Sequence, residues 1–378
     1  MTAGPPRGFW RPGDDAGGRQ LAVVSAEPRG LTLEAGGWLP EVTVAYETWG
    51  ALNAAADNAV LVLHALSLDS HAAGPPGPGH RATGWWDALI GSGAPIDTDR
   101  FFVVCPNVLG GCQGTTGPSS LGPDGRAYGS RFPMVTVRDQ VATEVALADH
   151  LGIERWHGVV GGSMGGMRVL EWCIGYPDRV SRAVVLAVGA AATAEQISLC
   201  SLQIRAIRSD PAFAGGDYYD RGGSPVDGLS IARGIGQVSY RTGNELEVRF
   251  GHRPQSPEDP LKGGRFSVES YLQHQGQKLV ERFDPNSYIV LSEAMNNHDV
   301  GRGRGGAGPA LGAVSARVVV AGIDSDRLYP LALQEELAAL LPGPRPASVI
   351  QSDFGHDGFL LETQQVGAVL FSALGEPF

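Results

Sequence analysis

Ser163 is the residue whose surroundings most clearly announce chemistry. It lies in Gly161-Gly162-Ser163-Met164-Gly165-Gly166, a G-x-S-x-G pattern. The short apolar run Gly158–Val160 precedes it and a helical pattern, Met164–Ile174, follows. A chain that turns sharply from strand into helix holds the turn residue in a strained conformation and leaves its side chain exposed. Glycines two residues before and after let the backbone pass closely, and the helix N-terminus favours developing negative charge. A glycine-rich turn with an incidental serine is the bland alternative, but it leaves the strand before and the helix after unexplained. A serine hydroxyl is a poor nucleophile at its free pKa, so the pattern predicts a base and an acid elsewhere in the chain.

Both should follow the serine in chain order. The acid should end a late strand, and Arg317–Asp326 (RVVVAGIDSD) offers Asp324 nearer the strand end and Asp326 deeper in the loop. Spacing alone leaves the two open. The histidine should lie on a loop after the last strand. His356, in Phe354-Gly355-His356-Asp357-Gly358, fits and is the only histidine beyond the acid. For the other eight (His64, His71, His80, His150, His157, His252, His274, His298) a core or surface role is expected, except near the loop that follows Ala59–Leu63. That loop, His64-Ala65-Leu66-Ser67, should supply one oxyanion donor from the Leu66 N–H or a neighbour, and Met164 N–H the other. Each such donor is worth about 2.7–4 kcal/mol in the transition state.

The elements that must position these groups are legible as alternation. Short apolar runs at Ala59–Leu63, Phe101–Cys105, Gly158–Val160, Ala183–Val188, Val318–Ala321 and, more weakly, Ser348–Gln351 suit strands buried on both faces. Helical patterns at Asp139–Leu151, Met164–Ile174 and Leu331–Leu341 fall between them, which predicts a doubly wound α/β architecture. Two earlier runs, Leu31–Ala35 and Val42–Trp49 around Gly36-Gly37, suggest an antiparallel pair. Residues 191–297 break the rhythm with helical patterns and few strand signals, and are expected to form a lid inserted between core segments 21–190 and 298–378. Residues 1–20 are expected to be a loose, flexible arm.

Composition bounds the partners. With 378 residues, 43% hydrophobic and 18% charged, the chain is of ordinary globular type. A net charge of -11 argues against nucleic acid as the main partner. No apolar stretch approaches a membrane span and no signal peptide is visible, so a cytoplasmic enzyme is expected. The four cysteines (Cys105, Cys112, Cys173, Cys200) match no common zinc spacing and are expected to be buried free thiols. No metal or prosthetic group is indicated.

The chain resembles the homoserine O-acetyltransferases, the acyl-CoA-dependent branch of the α/β-hydrolase superfamily, from about Leu31 to Leu370. Long motifs carry the resemblance. They are His64-Ala65-Leu66-Ser67, the run Asn107–Ser120 (NVLGGCQGTTGPSS), Gly161–Gly166, Gly215-Gly216-Asp217-Tyr218, the run Asn297–Gly306 (NHDVGRGRGG), Ser325–Pro330 (SDRLYP) and Gly355-His356-Asp357-Gly358. It implies an α/β-hydrolase fold with a mostly parallel sheet, helices on both faces and a helical lid. It selects Asp326 as the acid of the triad. Arg233 is implied as the partner of the substrate carboxylate, and Asp357 as the partner of its ammonium, although Asp357 would also suit a helix N-cap.

The activity implied is acetyl transfer from acetyl-CoA, a co-substrate with no bound cofactor, to the side-chain hydroxyl of L-homoserine. The order would be ping-pong, within methionine biosynthesis, in a homodimer packed through the lid helices. Leu68 stands where the family usually has glycine and Ser67 where it has threonine, which bears on the acyl or acceptor pocket. Serine as acceptor, a succinyl donor, or an esterase or thioesterase are the alternatives. A non-enzymatic relative is disfavoured because Ser163, Asp326 and His356 are all present in order.

Overall fold

The computed structural model describes residues 8–343 and 345–375. Eight strands form one sheet: β1 (Gln20–Ser25), β2 (Val42–Trp49), β3 (Ala59–Leu63), β4 (Phe102–Pro106), β5 (Trp156–Gly162), β6 (Val180–Leu186), β7 (Arg317–Ile323) and β8 (Ser348–Ile350). Their spatial order is β1-β2-β4-β3-β5-β6-β7-β8. From β4 to β8 every neighbour is parallel, while β1 and β2 add an antiparallel edge. β3 and β5 are buried along their whole length, as their unbroken apolar runs require.

Helices cover both faces: α1 (Val137–His150), α2 (Met164–Gly175), α9 (Leu331–Leu340) and α11 (Thr363–Leu374). α1 starts at a capping box in which Thr136 and Asp139 satisfy each other's backbone N–H groups. Between β6 and β7 lie α3 (Ala194–Ser209), α4 (Val226–Tyr240), α5 (Gly243–Arg249), α6 (Ser267–Val280), α7 (Pro285–Asn296) and the short α8 (Ala307–Gly312), with no strand of the sheet. α4 packs on α3 and α6, and α3 on α7. A second capping box, Thr193 with Gln196, starts α3. After the last strand, the short α10 (Gly358–Leu361) leads into α11. No helix among the described residues is long and apolar enough to cross a membrane.

Two early expectations need correction. Val42–Trp49 pairs with Gln20–Ser25, not with Leu31–Ala35; Leu31–Thr32 instead makes a small separate ladder with Trp38–Leu39. The Gly36 turn is tight enough to fold its own flanks together, which leaves β2 free to take an earlier partner. The segment read as a loose arm, 1–20, is packed where it is described. Trp10 N–H donates to Cys112 O at 2.9 Å, and Gly8 lies against the Phe283 backbone. Glu47 on β2 also reaches His71 at 3.0 Å and His80 at 3.4 Å; the His80 ring, stacked on His71, lies against Gly17 and accepts from Gly18 N–H at 3.2 Å, which holds this segment to the sheet. Its polar, glycine-rich composition hid these contacts because they run through backbone groups and a few buried side chains.

Candidate active site

The C-terminal ends of the parallel strands converge in space, and the residues singled out above sit there: Leu66 after β3, Ser163 after β5, Asp326 after β7 and His356 after β8. Ser163 has φ 56° and ψ -125°, a left-handed conformation held by its N–H donating to Leu186 O at 3.0 Å. The flanking glycines are sterically required. A Cβ at Gly165 would lie 2.0 Å from Leu63 O, and one at Gly161 would lie 2.7 Å from the Gly165 carbonyl carbon.

Ser163 Oγ–H donates to His356 Nε2 at 2.9 Å, and His356 Nδ1–H donates to Asp326 Oδ2 at 2.6 Å. The other carboxylate oxygen, Oδ1, accepts the N–H groups of Leu328 at 2.8 Å and Tyr329 at 2.9 Å. All three side chains are buried. Asp324, the alternative acid, instead accepts from Ser352 N–H at 3.0 Å at the end of β8. Rings of Tyr329, Tyr240 and Phe359 surround the His356 imidazole. Burial disfavours the charged ring, but the Asp326 carboxylate, its hydrogen bond and the nearby Asp357 charge outweigh burial and hold the His356 pKa above the usual imidazole value. Gly355, with φ 65°, lets the loop pass under α4: a Cβ there would meet Tyr240 O at 2.5 Å.

The second strand end is built as tightly. Ala65 O accepts from His64 Nδ1–H at 2.8 Å and from Leu68 N–H at 3.1 Å. His64 Nε2 accepts from Val108 N–H at 3.1 Å, so the ring is a neutral Nδ1–H tautomer, and burial pushes its pKa down to about 3. In a trans peptide the C=O and N–H point oppositely, so clamping Ala65 C=O turns the Leu66 N–H to the other side. Beneath it the buried Arg168 donates to His64 O and pairs with Glu144 at 2.6 Å, which also accepts from Trp172. Met164 N–H is the first of α2, where no intrahelical acceptor exists.

Arg233 on α4 is no idle surface arginine. Its Nη1 donates to Ser67 Oγ at 3.3 Å and its guanidinium lies over the Tyr240 ring. Asp357 makes no N-cap hydrogen bond; its Oδ2 lies 3.3 Å from Arg241 Nε. Composition and motif reading missed Arg282, which donates to Ser67 O and, with Leu68, lines a cavity of about 1270 Å³. No spacing rule points to it; only the fold brings the end of α6 over the His64–Ser67 loop. Cys105, Cys112 and Cys173 are buried and Cys200 is partly so, all four free thiols raised by burial, Cys173 to about 12 and Cys200 to about 11.

Residues 58–363 match the profile of the α/β-hydrolase fold. The homoserine O-acetyltransferase of Thermobifida fusca is 57% identical over 373 residues, covering 98% of each chain. The chain belongs to the homoserine O-acetyltransferase family. A Mycobacterium tuberculosis homoserine O-acetyltransferase is 55% identical over 345 residues, 91% of each chain. Among solved structures, the Bacillus anthracis homoserine O-acetyltransferase superposes with TM-score 0.85 at 28% identity, covering 95% of this chain and 98% of that one. Esterase E22, as an L374D mutant, superposes equally well, with TM-score 0.85 at 26% identity, 95% and 99% coverage. This member of the family therefore shares its scaffold with hydrolases as well as transferases.

Proposed function

We propose that the protein transfers an acetyl group from acetyl-CoA to the side-chain hydroxyl of L-homoserine, through an acyl-enzyme on Ser163, and serves methionine biosynthesis in the cytoplasm. The observation that carries this reading is a closed Ser163–His356–Asp326 relay in a chain related over nearly its whole length to homoserine O-acetyltransferases.

The thioester carbonyl carbon sits against Ser163 Oγ. His356 Nε2 takes the hydroxyl proton as the C–O bond forms, and the Met164 and Leu66 N–H groups receive the oxyanion. The C–S bond then breaks and the leaving thiolate takes the proton from His356. Homoserine follows, its carboxylate toward Arg233 and its ammonium toward Asp357. Its hydroxyl attacks the acetyl carbon while His356 removes the proton, and the collapsing intermediate returns that proton to Ser163 Oγ. Asp326 holds the imidazole tautomer and stabilises the imidazolium throughout. In this scheme the helices between β6 and β7 act as the lid that keeps water from the acyl-enzyme. Exposed apolar residues on α3 and α4 (Ile197, Leu202, Ile231, Val238) support pairing of two copies through these helices.

A second reading, an acetyl esterase, is favoured by the equal structural likeness to esterase E22. Thiol release from acetyl-CoA with homoserine, with serine and with no acceptor separates the two. The expected result is release stimulated strongly by homoserine and little by serine. Release equal with and without acceptor would assign hydrolysis, and stimulation by serine would reassign the acceptor and point to Ser67-Leu68.

A further inference from the structure

Two cations meet the oxyanion loop, and among the described residues no carboxylate pairs directly with either. Arg233 from α4 reaches Ser67 Oγ, and Arg282, just beyond α6, reaches Ser67 O. Among the described residues neither has an acidic group within ion-pairing distance. Asp69, whose charge favours the Arg282 cation, is itself engaged by Arg19 at 3.6 Å and by His71 N–H at 3.0 Å. Burial and the Arg233 charge lower the Arg282 pKa to about 10, so it remains a cation at neutral pH. Two guanidinium groups on one residue repel each other, and an enclosed cation without a counter-charge is costly. Such an arrangement is relieved when an anion enters between them.

We infer that Arg282 and Arg233 together form a two-guanidinium subsite for the carboxylate of the acceptor, at Ser67, beside the cavity that Arg282 and Leu68 line. The inference rests on the acyl-transfer reading above and names a second arginine for it. Arg282 already spends Nη1 on Ser67 O, which fixes the plane of its fork and leaves its remaining donors for the ligand. Ser67 directly follows Leu66, so the bound anion lies one residue from the oxyanion donor. That place suits the carboxylate of a short amino-acid alcohol. The phosphates of acetyl-CoA lie a full pantetheine arm from the thioester and would sit elsewhere. Leu68, the departure from the family glycine, lines the cavity that Arg282 also lines.

The test compares homoserine with 3-aminopropan-1-ol, which is homoserine without its carboxylate. In Arg282→Met, kcat/KM for homoserine is expected to fall about 100-fold, the loss of a hydrogen bond to a charged group. With 3-aminopropan-1-ol, and in the acceptor-free burst of thiol from acetyl-CoA, the fall should be less than about threefold. Arg282→Lys should recover part of the homoserine loss. Equal losses with both acceptors would mean that Arg282 only holds the Ser67 loop, and a loss confined to the burst would assign the cation to the donor; either overturns the inference. Should wild type show no homoserine-dependent release, the transfer reading fails by itself. The subsite is then read by butyrate inhibition of 4-nitrophenyl acetate turnover. Inhibition present in wild type and lost in Arg282→Met supports it, and no inhibition overturns it.

Discussion

Replacing Ser163 with alanine should lower kcat for acetyl transfer by about 10⁵-fold or more, because no other group takes the acyl chain. The side chain makes one hydrogen bond, to His356 Nε2, so its loss removes the nucleophile and little of the fold. Ser163 also carries backbone strain: φ 56° with ψ -125° is a conformation that suits glycine. Ser163→Gly should therefore be equally inactive but more stable than Ser163→Ala, by about 1 kcal/mol. Thiol-release kinetics and denaturant unfolding of the two variants measure both effects. An alanine variant at least as stable as the glycine variant would show that the turn stores no strain.

Asp326→Asn should lower kcat/KM by about 10⁴-fold, and the backbone explains why. Oδ1 accepts two N–H groups, from Leu328 and Tyr329, so an asparagine must keep its carbonyl oxygen there. Its NH₂ then faces His356 Nδ1, which must become an acceptor. The proton moves to Nε2, the atom that should receive the serine proton, and the base is lost. The same change removes the largest influence that raises the His356 pKa, leaving burial to lower it. His356 acts as base only when neutral, so wild-type activity should fall with decreasing pH through a value above the usual imidazole range. In Asp326→Asn the acid limb should move to lower pH. The pH profiles of kcat/KM for the two proteins check the direction.

The parallel sheet and the helices beside it were legible because their cues are local. Unbroken apolar runs such as Ala59–Leu63 cannot satisfy any other burial pattern, and the helical period of α1 ends at Gly152 as expected. The grouping of Ser163, His356 and Asp326 was legible for a similar reason: the sharp turn at Ser163 needs glycines at fixed offsets, and only one histidine follows the aspartate. Between Asp324 and Asp326 spacing was silent, since both lie on one loop and the choice depends on which carboxylate meets His356. What remained hidden depends on long-range contact. β1 went unread as a strand because Gln20–Ser25 is a half-exposed edge strand whose partner lies across a separate hairpin. Arg282 and the clamp on Ala65 C=O were invisible because helices far apart in sequence bring them together. Motifs such as Asn107–Ser120 proved structural where the contacts are seen. Thr115 and Thr116 accept backbone N–H groups of β2 and seat that loop on the sheet edge.

The covalent intermediate is the most direct test of the central claim. Purified protein mixed with acetyl-CoA, without acceptor, and quenched in acid should gain the mass of one acetyl group. Peptide mapping should place it on Ser163, and homoserine added before the quench should remove it. An acetyl group that still appears in Ser163→Ala, or product formed with no acylated serine at any time, would contradict the account.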